Sequence, residues 1–208
     1  MTLETCLCCG SISTVDATVR LDSLKGNEHV KRALEVAAVG NHSVVLIARR
    51  QNMPSAERYA LWLRSAFGNY VQIAEPCFCG YHGDVYHTCT CSVRAIERYQ
   101  RRLRRATNNV AVYIEVADVP VEKMMSTRKP EADETIIARV RAAQQRQKPS
   151  TDLDNACMRL MQSAIRQLVL NEQQVQQMIE VAQSVTRLAG ENVIKPMHLA
   201  EALQYRVR

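Results

Sequence analysis

The sequence predicts an α/β unit followed by a helical bundle, the α/β plus α class. Three observations predict it. Residues 28–74 alternate helix, strand, helix, strand. A third strand follows a cysteine-rich loop and a short helix. From about residue 131 onward the apolar residues recur at helical spacing without interruption.

The elements follow in order. Residues 28–38 place Val30, Ala33, Leu34 and Ala37 on one helical face, and Gly40 and Asn41 end that helix. Ser43–Ala48 is short, apolar and rich in β-branched residues, as in a buried parallel strand. Pro54 suits the first turn of a helix that runs to about Phe67. Tyr70–Ala74 reads as a second strand. Residues 76–91 hold the cysteines, and Ser92 can cap a helix to about Ala106. Val110–Val116 reads as a third strand, ended by Asp118-Val-Pro120.

The rest is helical. Ile136, Ile137, Val140 and Ala143 form one stripe. Leu153, Ala156, Cys157, Leu160, Met161, Ala164, Ile165 and Leu168 form a second, which makes Cys157 a core residue. Val175, Met178, Ile179, Ala182, Val185 and Leu188 form a third, capped by Asn171 and stopped by Gly190. Pro196 opens a last helix bearing Leu199, Ala200 and Leu203. The expected organisation is a leader over 1–20, an α/β core over 21–118, a helical connector over 119–150 and a helical subdomain over 151–208. Lys148-Pro149-Ser150 reads as the hinge.

Bulk properties narrow the function classes. The chain is 47% hydrophobic and 23% charged, ordinary for a soluble domain. No apolar run approaches the roughly 20 residues of a membrane helix, and the N-terminus lacks the pattern of a signal peptide. A cytoplasmic protein with no membrane partner is expected. The net charge of +6 permits contact with nucleic acid without requiring it.

Seven of the eight cysteines fall in two groups. Cys77-x-Cys79 and Cys89-x-Cys91 give two thiolate pairs that suit a closed tetrahedral zinc site. Gly80, Gly83 and Asp84 let the chain turn back, and His82 and His87 are spare ligands. The competing reading is four reduced thiols on a loop. Cys6, Cys8 and Cys9 cannot close a four-ligand site alone; they share a metal with His29 or another chain, or belong to a loose leader.

On residues 92–106, Arg94, Arg98, Arg101, Arg102 and Arg105 fall on one side and Val93, Ile96, Tyr99 and Leu103 on the other. Such a stripe can track a nucleic-acid backbone, or it is the solvated side of an amphipathic helix.

Four segments in order carry a family resemblance: Leu24–Ala38, Glu75–Asp84 with Cys89-Thr-Cys91, Ala95–Tyr99 followed by Tyr113–Val116, and Pro196–Arg206. Together they resemble the magnesium-chelatase-like AAA+ ATPases, including the bacterial competence-associated members. The resemblance implies a nucleotide-hydrolysing motor frame with a helical lid at its C-terminus.

The departures from that pattern matter more. The family's phosphate loop needs glycines whose N–H groups wrap phosphate, a Lys for the terminal phosphates and a hydroxyl for magnesium. Here Ala48–Ser55 contains no glycine, Pro54 stands in place of the Lys, and only Ser55 survives. Arg49 and Arg50 read as surface charge. There is no room for the acidic magnesium-binding strand between Phe67 and Tyr70. Glu75 replaces a water-positioning amide, Asn108-Asn109 replaces an Asp-Arg pair, and Asn171–Gln177 lacks the lid arginine. The resemblance therefore implies a truncated, degenerate member with no catalytic residues, structural zinc and no ATP. Its expected role is a binding or assembly module for an AAA+ paralogue, a second copy or nucleic acid. The alternative is an ATP-binding ATPase of DNA processing that uses Ser55.

Overall fold

Asn27 takes a left-handed backbone (φ 51°) and turns the chain into α1, Glu28–Gly40. Its side chain bonds both polar groups of Ala117, the N–H at 3.1 Å and the carbonyl at 2.9 Å. The computed structural model that shows this describes residues 19–206. Cys6, Cys8 and Cys9, with most of the expected leader, lie outside the described residues.

Three parallel strands form one sheet in the order β2-β1-β3. They are β1 (Val44–Ala48), β2 (Val71–Ala74) and β3 (Val112–Val116). Val44 is in register with both Val71 and Val112. Val44, Val45, Leu46 and Ala48 are buried, as a central parallel strand covered on both faces requires. α2 (Met53–Phe67) returns the chain from β1 to β2, and α3 (Val93–Ala106) precedes β3. Both outer strands begin later than their apolar runs suggest. Tyr70 is 59% exposed, and a Val110 N–H to Thr107 turn precedes β3.

The remaining helices are α4 (Val121–Met125), α5 (Asp133–Gln145), α6 (Asn155–Leu168), α7 (Glu172–Ala189) and α8 (Pro196–Gln204). Asn171 and Gln174 form a reciprocal capping box on α7, and Gly190 ends it in a left-handed conformation. α7 packs on α1, α5 and α8. One contiguous core therefore runs from Leu21 through the sheet to Tyr205. α8 turns in His198, Leu199 and Ala202. Ala200 faces solvent, contrary to its expected place in the apolar stripe.

Three polar devices tie α1, α5, α7 and the 148–150 stretch to one another. Arg187 on α7 donates to the carbonyls of Val39, Ala143 and Gln144 at the ends of α1 and α5, where a cation also favours the helix dipoles. Arg139 grips the buried Glu35 through two bonds of 2.9 Å. Pro149, in the expected hinge, is buried and its carbonyl accepts from Gln183 at 2.7 Å, which pins the stretch to α7.

His42 meets Ser184 Oγ at 2.8 Å beneath α7. A Cβ on Gly40 would lie 2.0 Å from the His42 ring nitrogen, so only glycine permits this approach. Burial holds the imidazole down to about 4; Glu180 opposes the shift, and Lys148 and Arg187 add to it. The unfolded chain therefore takes up a proton that the fold refuses. Stability is expected to fall as pH drops from about 6.5 to about 4, by up to roughly 3 kcal/mol, and that step should be absent in His42→Asn. Urea midpoints read by fluorescence of Trp62, the one tryptophan of the chain, check it.

Both sheet edges are capped, by side chains and, on β3, also by backbone. On β3, Tyr113 N–H reaches the Tyr205 carbonyl at 2.7 Å and His29 bonds the Glu115 carbonyl at 2.9 Å. On β2, the Arg64 guanidinium caps the Val71 carbonyl. Among the described residues no helix is long and apolar enough to cross a membrane.

Candidate metal centre

In a parallel sheet the loops after the strands gather at one end, and a crevice opens where consecutive connections leave to opposite sides. Here that point lies above β1, between β2 and β3. The loops after all three strands meet there.

The loop after β2 carries the cysteines. Cys77 is buried, and Cys79, Cys89 and Cys91 are half-buried. Their four Sγ atoms lie within 4.8 Å of one another. Cys77–Cys79 is 3.4 Å, Cys79–Cys89 3.5 Å and Cys77–Cys89 3.8 Å. Thiolates about 2.3 Å from a tetrahedral ion stand about 3.8 Å apart, so the spacing is that of a closed metal site.

The local chain explains the convergence. Gly80 has φ 82°, and its N–H returns to the Cys77 carbonyl at 3.2 Å. A Cβ there would meet Glu75 Oε1 at 2.6 Å. Asp84 then turns the loop back, accepting the N–H groups of Tyr86 and His87 at 2.7 Å each. Burial acts to raise the Asp84 carboxyl, but bonds from His87 N–H, Gln51 and Tyr86 N–H hold it at about 2.

The thiols are prepared for a cation. Tyr81 N–H, assisted by Thr90 N–H and opposed by burial, brings Cys79 down to about 5. Cys91 N–H favours the Cys89 thiolate, but burial and the adjacent Cys79 and Cys77 push Cys89 up to about 12. One proton leaves readily and the next does not, because thiolates this close repel. A divalent cation removes that repulsion. The expected spare ligands do not join. His82 faces a neighbouring cleft and His87 stacks on Tyr81.

The loop after β1 is closed by its own partners. Arg49 donates to Asp118 at 2.6 Å and to Glu115 at 3.2 Å. Arg50 pairs with Glu75 at 3.3 Å, and its N–H reaches the Gly80 carbonyl at 3.3 Å. Gln51 bonds Asp84 and Asp118; Asn52 bonds Asp118 at 2.7 Å and the Val116 carbonyl at 3.3 Å. Arg50–Asn52 form a 3-10 turn that leads directly into α2. Arg49 is thus a largely buried, paired guanidinium, 16% exposed, and not the surface charge expected. Its partners lie 66 and 69 residues away, beyond any local pattern. Ser55 sits half-buried in the first turn of α2.

α3 starts two residues after Cys91, with Ser92 Oγ accepting from Ala95 N–H at 3.3 Å. Phe78 of the cysteine loop meets Tyr99 edge-on at 4.8 Å. Arg94, Arg98, Arg101, Arg102 and Arg105 are all exposed. A cleft of about 730 Å³ lies between α3 and the β3 edge, lined by His29, Arg49, His82, Leu103, Tyr113 and Arg206 among others.

The family model described as magnesium chelatase, subunit ChlI C-terminal, matches residues 92–206, more than half of the chain. The chain belongs to the magnesium chelatase family. Its match spans α3, β3 and α4–α8 and begins directly after Cys91. The four cysteines and the crevice loop after β1 thus precede the magnesium chelatase C-terminal region. A search of curated proteins finds no match to the chain.

Proposed function

We propose that the chain is a non-hydrolysing binding module of the magnesium chelatase family. In this reading it keeps an AAA+-type frame over residues 21–118 and a helical lid over 151–208, joined by the 119–150 connector. The observation that carries it is the filled crevice above β1. Ligands of open α/β sheets bind at that position. Here Arg49, Gln51 and Asn52 converge on Asp118, and Arg50 is drawn to Glu75. A triphosphate would have to displace these bonds and would face the carboxylates of Glu75, Asp84, Glu115 and Asp118. The 3-10 turn, with no glycine and with Pro54 removing an N–H, offers no nest of donors in return.

The cysteine cluster supports the same reading. Four thiolates fill every position of a tetrahedral zinc ion, which leaves no open site for catalysis and makes the metal a staple. Clustered thiols of this kind belong in a reducing compartment, the cytoplasm. The lid and the loop region are the parts kept for docking, onto a complete AAA+ paralogue, a second copy or nucleic acid.

Calorimetric titration of magnesium–ATP into the zinc-loaded chain tests the reading. The expected result is the heat of dilution alone. A saturable isotherm that is lost in Ser55→Ala would overturn it in favour of an ATP-binding protein.

A further inference from the structure

α3 carries a concentration of charge that the fold does not use. Arg94, Arg98, Arg101, Arg102 and Arg105 are exposed, and none has an ion-pair partner among the described residues. Several other arginines that reach solvent are committed, whereas no other helix among the described residues gathers as many exposed arginines on one side. Arg20 holds Asp22 and Glu134, Arg32 holds Glu201, Arg50 holds Glu75, and Arg139 holds Glu35 and Glu131. At 100° per residue the five guanidiniums of α3 fall within an arc of about 100° and form a row about 17 Å long.

Nothing in the core calls for that row. No residue of α3 is buried. Its other side, with Ile96, Tyr99 and Leu103, is half-buried and looks toward the cleft. The helix is held at its start by the cysteine loop, through Ser92 and the Phe78–Tyr99 contact. A metal in that loop would fix the direction in which the row points.

The row matches one kind of partner. Five unpaired guanidiniums in line complement a regular array of negative charges, and planar guanidinium forks suit phosphate oxygens. Duplex nucleic acid offers one charge per about 1.7 Å of its axis. No aromatic side chain lies on the arginine side, so stacking on unpaired bases has no platform there. We propose that the outer side of α3 docks the phosphate backbone of duplex nucleic acid without reading its sequence, at an angle set by the cysteine loop. The proposal rests on the reading of the chain as a binding module and names its partner.

Fluorescence anisotropy with the zinc-loaded full chain and a random-sequence DNA duplex of about two helical turns tests it. Binding should weaken with salt, with a log–log slope of about −3 to −4.5, about 0.9 per phosphate contacted. Arg98→Glu/Arg101→Glu/Arg105→Glu should weaken binding at least tenfold and flatten the slope by about 3. Arg141→Glu/Arg159→Glu/Arg166→Glu alters three exposed arginines elsewhere by the same net charge, and should change affinity less than threefold. If the reversal variant loses helical signal, the neutral Arg94→Gln/Arg98→Gln/Arg102→Gln set takes its place, with the same direction expected. Absence of duplex binding, equal loss in the two triple variants, or equal competition by polyglutamate would overturn the proposal. Anionic vesicles binding in place of the duplex would also overturn it. A positive nucleotide titration with intact duplex binding would sink the non-hydrolysing reading and leave this one standing.

Discussion

Stripping the metal from Cys77, Cys79, Cys89 and Cys91 is expected to unfold residues 76–91 while the core around Trp62 stays folded. The loop has almost no apolar anchor of its own. Cys77 is buried, but Val85 and Tyr86 are more than 80% exposed. Its geometry depends on thiols gathered within 4.8 Å, which repel once ionised. Structural zinc in comparable small sites is worth on the order of 10 kcal/mol of folding free energy near neutral pH. Loss of the ion therefore exceeds what Asp84 and Gly80 can hold together by hydrogen bonds. Trp62 lies elsewhere, against Phe67 and with its N–H on Asp133 at 3.1 Å. Hydrogen exchange after chelation should show fast exchange over 76–91 and at the start of α3, with α1, α7 and β1 protected. Cys77→Ser with Cys89→Ser should reproduce it without chelator. Uniform protection in all samples would show that the loop holds without metal.

Asp118→Ala is expected to cost about 3–4 kcal/mol, because it strands a largely buried Arg49 and removes an acceptor from Gln51 and Asn52 at once. Glu115 remains, but it is 57% exposed and 3.2 Å away, so it compensates little. Arg49 Nε already lacks a partner, which leaves the guanidinium no spare bond to fall back on. Arg49→Met/Asp118→Leu should cost less than Asp118→Ala, since it removes both charges and keeps the volume. Urea unfolding of the two variants, read by Trp62, separates them. Equal stability of Asp118→Ala and the native chain would mean that the crevice is loosely filled and open to a ligand.

The elements were legible where one local rule decides them. The stripe Ile136, Val140, Ala143 and the cap Asn171 need only helical spacing and a side-chain oxygen. The two C-x-C pairs also declare themselves, because thiols in tight groups have few structural uses. What sequence hides is distance. Arg49 reads as surface charge until Asp118 is placed beside it by the parallel register of β1 and β3. His29 and Asn27 look like helix-start residues, yet His29 caps the edge of β3 and Asn27 bonds Ala117 just past its end. Ala200 and Ala202 are equally apolar, and only the packing of α8 on α7 turns the second one inward. The N–H groups of Tyr81 and Thr90 that favour the Cys79 thiolate belong to the backbone and leave no trace in residue type.

The proposed module combines a crevice closed by its own side chains with four thiols placed to hold a metal. Native mass spectrometry of the full chain, sprayed from a volatile buffer with magnesium and ATP, reads both at once. It should give one zinc per chain, lost in Cys77→Ser/Cys89→Ser, and no nucleotide adduct. A metal-free chain, or a nucleotide adduct that survives gentle activation, would contradict it.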